Sequence, residues 1–270
     1  MPHIDVNGAV LHYHLQGPED APAIVFSNSL GATTAMWQPQ LHALCEKFRV
    51  LRADTRGHGH SAATPGPYTT ELLAKDVLAL TEALRIDQFH FCGISMGGQT
   101  GQWLLHNAPE RLKSATISNT AMKIGNDEAW NARIAKVTSS GLESIATSVI
   151  ERWFTPAFFA SSPDVVAKMR ERFVSNNVLG YAACCAAVRD ADFTNASSSQ
   201  SGTGKLPPVL VIGGAQDKSV PAADSKALAE KLPGAKYLEL NAAHISNMEA
   251  HTEFTNALIA HVNEAEAQHG

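Results

Sequence analysis

The sequence predicts an α/β fold: a mostly parallel β-sheet with helices on both faces and an inserted helical cap. Three observations support this prediction. Short apolar runs bounded by turn residues recur along the chain, and such runs are typical of buried strands. Helical patterns alternate with the later runs, which favours parallel strands joined by crossover helices. One long interval has helical patterns without a strand, and 270 residues suffice for one domain with an insertion.

The predicted elements of the core follow in chain order. Residues 3–15 alternate around Asn7-Gly8, which predicts a β-hairpin with a tight turn. The buried strands are predicted at Ala23–Ser27, Arg49–Ala53, Gln88–Gly93, Ala115–Asn119, Val209–Gly213 and Lys236–Leu240. The core helices are predicted at Thr70–Leu84, Met96–Asn107, Ala222–Lys231 and Thr252–Glu264.

The interval from about Met122 to Ser201 has no convincing strand pattern. It ends in the Ser/Gly-rich stretch Ser197–Gly204, before Pro207-Pro208 opens the next strand. Its helical patterns cover Glu128–Ser139, Leu142–Trp153, Pro163–Asn176 and Val178–Val188. We therefore predict a core domain at 1–121 and 202–270 and a helical cap at 122–201, since active-site lids are commonly inserted in this way.

Composition and charge exclude several classes of function. Hydrophobic residues make up 44% of the chain and charged residues 17%, as in ordinary globular enzymes. The net charge is −5 and there is no basic run, so nucleic acid is not an expected partner. With neither a signal-peptide pattern nor an apolar run of about 18 residues, we expect a cytoplasmic protein without a membrane partner. The four cysteines lack metal spacing and are expected to be reduced; the oligomeric state stays open.

The strongest chemical signal is the G-x-S-x-G sequence Gly93–Gly97. It follows a predicted strand and precedes a predicted helix, which is the context of a nucleophile elbow. In that turn a serine hydroxyl projects above the sheet. Ser95 is therefore the candidate nucleophile. The alternative is a glycine-rich turn whose serine only caps the helix.

A serine nucleophile of this type is followed in the chain by an acid and then by a histidine. Asp217 lies just past a predicted strand, and His244 lies between the last strand and the last helix. Each residue alone has an ordinary structural explanation, but together they occur in the required order at the carboxyl ends of strands. Asn119 also ends a strand but is not acidic, while Asp190 and Asp192 fall in the cap and fit worse.

Acyl transfer also requires two backbone N–H groups for the developing oxyanion. Met96 directly follows the candidate nucleophile and can supply one. The second is expected in the polar loop after an early strand, Ser27–Gly31, where we assign Leu30. The alternative is a Gly/Ser loop without a catalytic role.

The segment Asp54–Ser61 holds an aspartate and two histidines after another strand. His58 and His60 could suggest a metal, but glycines separate these side chains and no matching ligands occur nearby. We favour a structural turn in which Asp54 and Arg56 fix the loop, and we predict no metal and no cofactor.

These motifs resemble the α/β-hydrolase superfamily. Its hallmarks are the runs DTRGHGHS (54–61), CGISMGG (92–98), GGAQD (213–217) and AAHISNME (242–249). Many members carry His-Gly in the oxyanion loop, where this chain has Asn28-Ser29. That loop, FSNSLG, together with Trp130, Arg133 and the run Glu151–Phe158, resembles the 3-oxoadipate enol-lactonases over nearly the whole chain.

The resemblance implies that the protein opens a small anionic lactone during cytoplasmic catabolism of protocatechuate or catechol. Trp130, Arg133 and Trp153 are the expected substrate-binding residues of the cap. The cations of the cap include Lys123, Arg133, Lys136 and Arg152, and any of them could bind the substrate's carboxylate. We favour Arg133, because it is three residues from Trp130 on a predicted helix and shares a face with that apolar ring. Two alternatives remain: a broad-specificity carboxylesterase with the same triad, and a ligand-binding protein that uses the fold without turnover.

Overall fold

The structure is a computed structural model that describes residues 2–196 and 206–269. In these residues one sheet of eight strands has the order β1-β2-β4-β3-β5-β6-β7-β8. The strands are β1 His3–Val6, β2 Ala9–Gln16, β3 Ala23–Ser27, β4 Arg49–Ala53, β5 Phe89–Ile94, β6 Leu112–Ser118, β7 Val209–Gly214 and β8 Lys236–Leu240. Strand β2 pairs antiparallel with β1 and β4, and the other pairs are parallel. The predicted hairpin and mostly parallel sheet are confirmed.

The helices alternate with the strands and cover the sheet. They are α1 Leu41–Leu44, α2 Thr70–Ala83, α3 Met96–Asn107, α4 Asp127–Ser140, α5 Glu143–Trp153, α6 Pro156–Ser161, α7 Pro163–Val174, α8 Val178–Asp190, α9 Ala222–Lys231, α10 Ser246–Glu249 and α11 His251–His269. The sequence pattern missed α1, α6, α10 and the 3₁₀ turn Thr34–Gln40. These pieces are too short to show a helical period. No helix within the described ranges is long and apolar enough to cross a bilayer.

The apolar core lies on both faces of the sheet. In β3 the side chains of Ile24 and Phe26 belong to one buried cluster, and those of Ala23 and Val25 belong to the other. Successive side chains of a strand point to opposite faces, so a strand buried on both faces is apolar throughout. This is the physical origin of the uninterrupted apolar runs in the sequence.

The segment between β6 and β7 is helical, as predicted. In its described part, up to residue 196, it comprises α4–α8, with α4 packed on α8 and α5 packed on α7. Its apolar faces continue the cluster that contains Phe26. The predicted linker Ser197–Gly204 lies outside the described residues. Because this segment begins at the carboxyl end of β6, its first residues lie at the carboxyl edge of the parallel strands.

Candidate active site

Ser95 occupies a strained turn between β5 and α3. Its backbone has φ +58° and ψ −113°, a conformation that non-glycine residues rarely adopt. The turn is held on both sides: Ser95 N–H donates to the Ser118 carbonyl (2.9 Å), and the Thr120 hydroxyl donates to the Ser95 carbonyl (2.9 Å). Such strain is stored at functional sites when the surroundings fix it.

The glycines that flank Ser95 allow a close approach of backbones. A Cβ on Gly93 would lie 2.3 Å from the Gly97 carbonyl oxygen, and a Cβ on Gly97 would lie 2.2 Å from the Ser27 carbonyl oxygen. Both distances are shorter than any real contact of this kind. The spacing of the G-x-S-x-G motif is therefore explained by packing of the strand, the helix and the neighbouring loop.

Asp217 and His244 lie next to each other at the carboxyl ends of β7 and β8. The His244 Nδ1 and the Asp217 Oδ2 are 2.8 Å apart, and both side chains are buried. The other carboxylate oxygen of Asp217 accepts the N–H groups of Ser219 (2.7 Å) and Val220 (2.9 Å). The carboxylate is thus fixed on one side and presents its second oxygen to the imidazole.

The charge of Asp217 is stabilised despite its burial. Burial by itself raises the pKa of Asp217, but His244 and hydrogen bonds from Val220 and Asn119 outweigh it, so the pKa lies below its ordinary value. An ionised carboxylate can accept Nδ1–H and leave Nε2 unprotonated, which is the tautomer that a general base requires.

Asn119 cannot be the acid of the site, because its side chain is an amide, but the structure shows that it supports the acid. It has φ +47° directly after β6, and its Nδ2 donates to Asp217 Oδ2 (3.0 Å) and to the Ala243 carbonyl (3.1 Å). Its Oδ1 accepts the hydroxyls of Ser118 and Ser246, each at 2.6 Å. The signal was available, since an Asn at a strand's carboxyl end tolerates positive φ and can support a neighbouring carboxylate.

A cavity of about 150 Å³ lies between the sheet edge and the helical segment. It is lined by Ser29, Leu30, Ser95, Ile124, Gly125, Ala129, Trp130, Arg133, Val149, Arg152, Trp153, Tyr181, Ser219, Val220 and His244. The structure therefore brings the predicted serine, histidine and Leu30 to one cavity, together with all three predicted cap residues. Met96 does not line the cavity, and its side chain belongs to the core.

The cap side of the cavity combines aromatic rings with cations. The Arg133 guanidinium lies 4.8 Å from the centre of the Trp130 ring, whose Nε1 donates to the Ile124 carbonyl (2.7 Å). Burial raises the pKa of Tyr181, and the neighbouring Arg133 opposes that rise. Arg152 lines the same cavity. Among the described residues, no carboxylate forms an ion pair with either arginine, so both cations remain available to an anionic ligand.

The loop Ser27–Gly31 contributes Ser29 and Leu30 to the lining of this cavity. Ala32 N–H donates to the Ser29 carbonyl (3.0 Å), which closes a turn. Because a trans peptide points its C=O and N–H in opposite directions, the Leu30 N–H points out of that turn. Within residues 2–196 and 206–269 no protein acceptor binds the Leu30 or Met96 amide, and unpaired donors of this kind can receive a developing oxyanion.

The cap contacts the histidine loop directly. Ile245, next to His244, donates its N–H to the Trp153 carbonyl (3.0 Å). Glu249 accepts the N–H of Ala243 (3.0 Å) and also binds the hydroxyl of Thr155. The loop that carries the imidazole is therefore held by residues of both the core and the cap.

The Asp54–Ser61 segment is a structural turn. Asp54 accepts the N–H of Thr34 (2.8 Å) and of His60 (3.0 Å), and its carboxylate lies 2.8 Å from His12 Nδ1. The described residues contain no group of three or more His, Cys, Asp or Glu side chains that could hold a metal ion.

Arg56 fixes the other side of the same turn. Its guanidinium forms two hydrogen bonds with Asp76, at 2.9 and 2.6 Å, and a third with the Asn7 carbonyl (2.8 Å). These contacts agree with the structural interpretation of the segment.

The comparison with known proteins identifies the class. The family model for the alpha/beta hydrolase fold matches residues 22–251, so the chain belongs to the α/β-hydrolase family. This confirms the fold predicted from the sequence.

Particular relatives narrow the comparison. The 3-oxoadipate enol-lactonases 2 and 1 of Acinetobacter baylyi are 44% and 38% identical, over 93% and 92% of this chain and 92% and 91% of their own lengths. The crystal structure of the enol-lactonase from Burkholderia xenovorans LB400 superposes with a TM-score of 0.92 at 42% identity. It covers 97% of this chain and 100% of that one.

Proposed function

We propose that this protein hydrolyses 3-oxoadipate enol-lactone to 3-oxoadipate, with Ser95 as nucleophile, His244 as general base and Asp217 as the acid that orients the histidine. The observation that carries the proposal is the 2.8 Å contact between His244 and Asp217 beside a cavity shared with Ser95. Enol-lactonases similar over more than nine-tenths of the chain support the substrate. The reaction belongs to cytoplasmic breakdown of aromatic compounds.

The first half of the reaction forms an acyl-enzyme. His244 Nε2 takes the proton of the Ser95 hydroxyl while its oxygen attacks the lactone carbonyl. The Leu30 and Met96 N–H groups bind the oxyanion of the tetrahedral intermediate. Collapse breaks the ring C–O bond, and the departing enol oxygen takes the proton from His244. An enol is a better leaving group than an alkoxide, and its conversion to the ketone prevents the tethered group from closing the ring again.

The second half releases the product. A water molecule gives its proton to His244 and attacks the acyl carbonyl, and the oxyanion occupies the same two N–H groups. Collapse expels Ser95, which recovers its proton from His244, and leaves a new carboxylate on 3-oxoadipate. Asp217 stabilises the positively charged imidazole in both halves. His244 carries the proton between Ser95, the enol oxygen and water. The enol-to-ketone conversion and the ionisation of the new carboxylic acid exchange protons with solvent.

The free carboxylate of the substrate needs a cation, because burying an unpaired anion is costly. Arg133, stacked on Trp130, provides a planar fork at the cavity wall, and Trp153 provides apolar surface. We assign these three cap residues to substrate binding. In this assignment the cap at 122–201 sets the selectivity, and the core supplies the reaction.

Ser95→Ala tests the proposal. The variant should lose about 10⁴-fold or more of kcat on the enol-lactone, because no other group replaces the nucleophile. Turnover is followed by the ultraviolet absorbance of the lactone, with circular dichroism to confirm folding. Ser114, a serine of β6 that is also buried and binds His90 (2.8 Å), provides the control. Ser114→Ala should keep near wild-type activity, and a folded Ser95→Ala that retained a tenth of the activity would overturn the assignment.

A further inference from the structure

The turn that carries the Leu30 amide is held through Gly31. Gly31 has φ +84°, and the turn is closed by the hydrogen bond from Ala32 to Ser29. The orientation of this turn fixes the Ser29–Leu30 peptide, and the N–H of that peptide is one of the two proposed oxyanion donors. Whatever holds Gly31 therefore sets the direction of that N–H.

One buried side chain of the cap binds Gly31 and a second core loop. Asn176, between α7 and α8, donates its Nδ2 to the Gly31 carbonyl (2.9 Å). Its Oδ1 accepts the N–H of Gly59 (2.8 Å). Asn176 is 5% exposed, so neither bond competes with bulk water. A single amide thus connects the cap to the oxyanion loop and to the Asp54–Ser61 turn.

The remaining contacts leave Gly31 little freedom. Its N–H donates to His58 Nε2 (2.9 Å), so side chains hold both polar groups of this residue. A Cβ at Gly31 would lie 2.7 Å from the Phe173 ring and 3.2 Å from the Tyr181 ring. The turn is therefore packed directly against two aromatic rings of the cap. Asn176 adds a hydrogen bond from the cap to Gly31, and a hydrogen bond, unlike ring packing, is directional.

We propose that Asn176 is a positioning residue that aims the Leu30 amide at the oxyanion. An oxyanion hole works because its donors are oriented before charge develops, and losing one donor typically costs about 10²- to 10³-fold in kcat. Without the Asn176 donor, the Gly31 carbonyl is buried and unpaired, and the peptide turns to find another partner. The inference rests on the proposed function, since it assumes acyl transfer at Ser95.

The experiment compares substitutions at two neighbouring asparagines. Asn176→Asp keeps an acceptor for Gly59 but places an oxygen against the Gly31 carbonyl, and Asn176→Ala removes both bonds. Asn177→Ala is the matched control, because Asn177 caps α8 through Gly180 N–H (2.9 Å) and, within the described residues, its side chain forms no hydrogen bond with either loop. Both Asn176 variants should lose ~10- to 100-fold in kcat on the enol-lactone and on nitrophenyl acetate, with KM changed less than about threefold. Asn177→Ala should lose thermal stability and keep its kcat.

A second readout separates positioning from structural support. Phenylboronic acid forms a tetrahedral adduct with a serine nucleophile, and one of its oxygens occupies the oxyanion position. Its inhibition constant should rise in Asn176→Asp by the same factor as kcat falls, whereas inhibition by 3-oxoadipate should not change. If Asn176→Asp does not fold, Asn176→Ser serves instead, because a hydroxyl is too short to reach both loops, and the same pattern is expected.

Two outcomes distinguish the proposals. If Ser95 is essential but folded Asn176 variants match Asn177→Ala in kcat and in boronic acid inhibition, the positioning role is wrong and the function stands. If Ser95→Ala retains activity, the proposed function is wrong and the positioning role falls with it.

Discussion

At the scale of single residues, Asp217 shows how a buried carboxylate is kept ionised. It accepts three backbone or amide N–H groups besides the imidazole, so its lone pairs are satisfied without water. Asn119 contributes one of these bonds and also binds the carbonyl of Ala243, next to His244. The two strand ends are therefore locked in one hydrogen-bond network.

Replacing this carboxylate tests its role. Asp217→Asn should lower kcat by about 10⁴-fold, because an amide neither stabilises the charged imidazole nor selects the correct tautomer. Steady-state rates on the enol-lactone measure the effect. Asp192→Asn, in an exposed cap residue that binds Thr194, is the control and should be near wild-type. If Asp192→Asn lost activity and Asp217→Asn kept it, the residue that orients His244 would be Asp192 of the cap and not Asp217.

At the scale of elements, helix α4 places two residues that are three apart in the sequence on one wall of the cavity. Trp130 and Arg133 are three residues apart, which places both on the face that lines the cavity. The Trp130 indole is anchored by its bond to Ile124, so the ring offers a fixed platform for the guanidinium. A helix thereby places a cation in the wall of the cavity that Ser95 and His244 also line.

Arg133→Ala should lower kcat/KM for the anionic lactone by ~10- to 100-fold, since a charge-assisted hydrogen bond contributes about 1.5–3 kcal/mol. A neutral nitrophenyl ester of similar size should be much less affected, because it has no carboxylate. Arg133→Lys should restore part of the loss. Lys136→Ala, in an exposed cation of the same helix, is the control.

The pattern of losses identifies the anchor. Equal losses on the charged and neutral substrates would show that Arg133 only supports the cap. No loss on either substrate, together with a selective loss in Arg152→Ala, would assign the carboxylate to Arg152, which lines the same cavity.

At the scale of the whole molecule, burial of histidines makes stability depend on pH. Burial lowers the pKa of His58 to about 4 and that of His90 to about 4, although nearby acceptors oppose the shift. In the unfolded chain a histidine titrates near 6.5. The unfolded state therefore binds more protons below that value. The contribution to stability is complete above about pH 6.5 and is lost as the pH falls towards 4.

The free energy of unfolding should fall by about 1.4 kcal/mol per pH unit for each of these histidines across that window. Urea denaturation at pH 7.5, 6, 5 and 4.5 measures the slope. His58→Gln should be less steep by about that amount, because glutamine does not titrate. His60→Gln, in an exposed residue of the same turn, provides the control. An unchanged slope in His58→Gln would show that burial does not lower the pKa of this imidazole in the folded state.

The sequence by itself determined the sheet and the order of the chemistry. The predicted bounds of β3, β4 and β8 match the structure residue for residue. In β3 all five residues are buried, and a strand buried on both faces must be apolar nearly throughout. Ser95, Asp217 and His244 could be selected because parallel strands bring their carboxyl ends to one edge, whatever the distance along the chain. That argument needs only the positions of strands and turns.

The tertiary structure alone decided which polar groups support that edge. Asn176 and Glu249 carry no periodic signal, and each binds a residue far away in the chain, Gly31 and Thr155 respectively. The sequence predicted a structural turn around His58, and only the fold shows that its Nε2 accepts the Gly31 N–H. Local sequence patterns predict helices and strands, because each of these elements buries its side chains at a regular spacing along the chain. Hydrogen bonds between loops depend on how helices and strands finally pack, so only the folded chain specifies them.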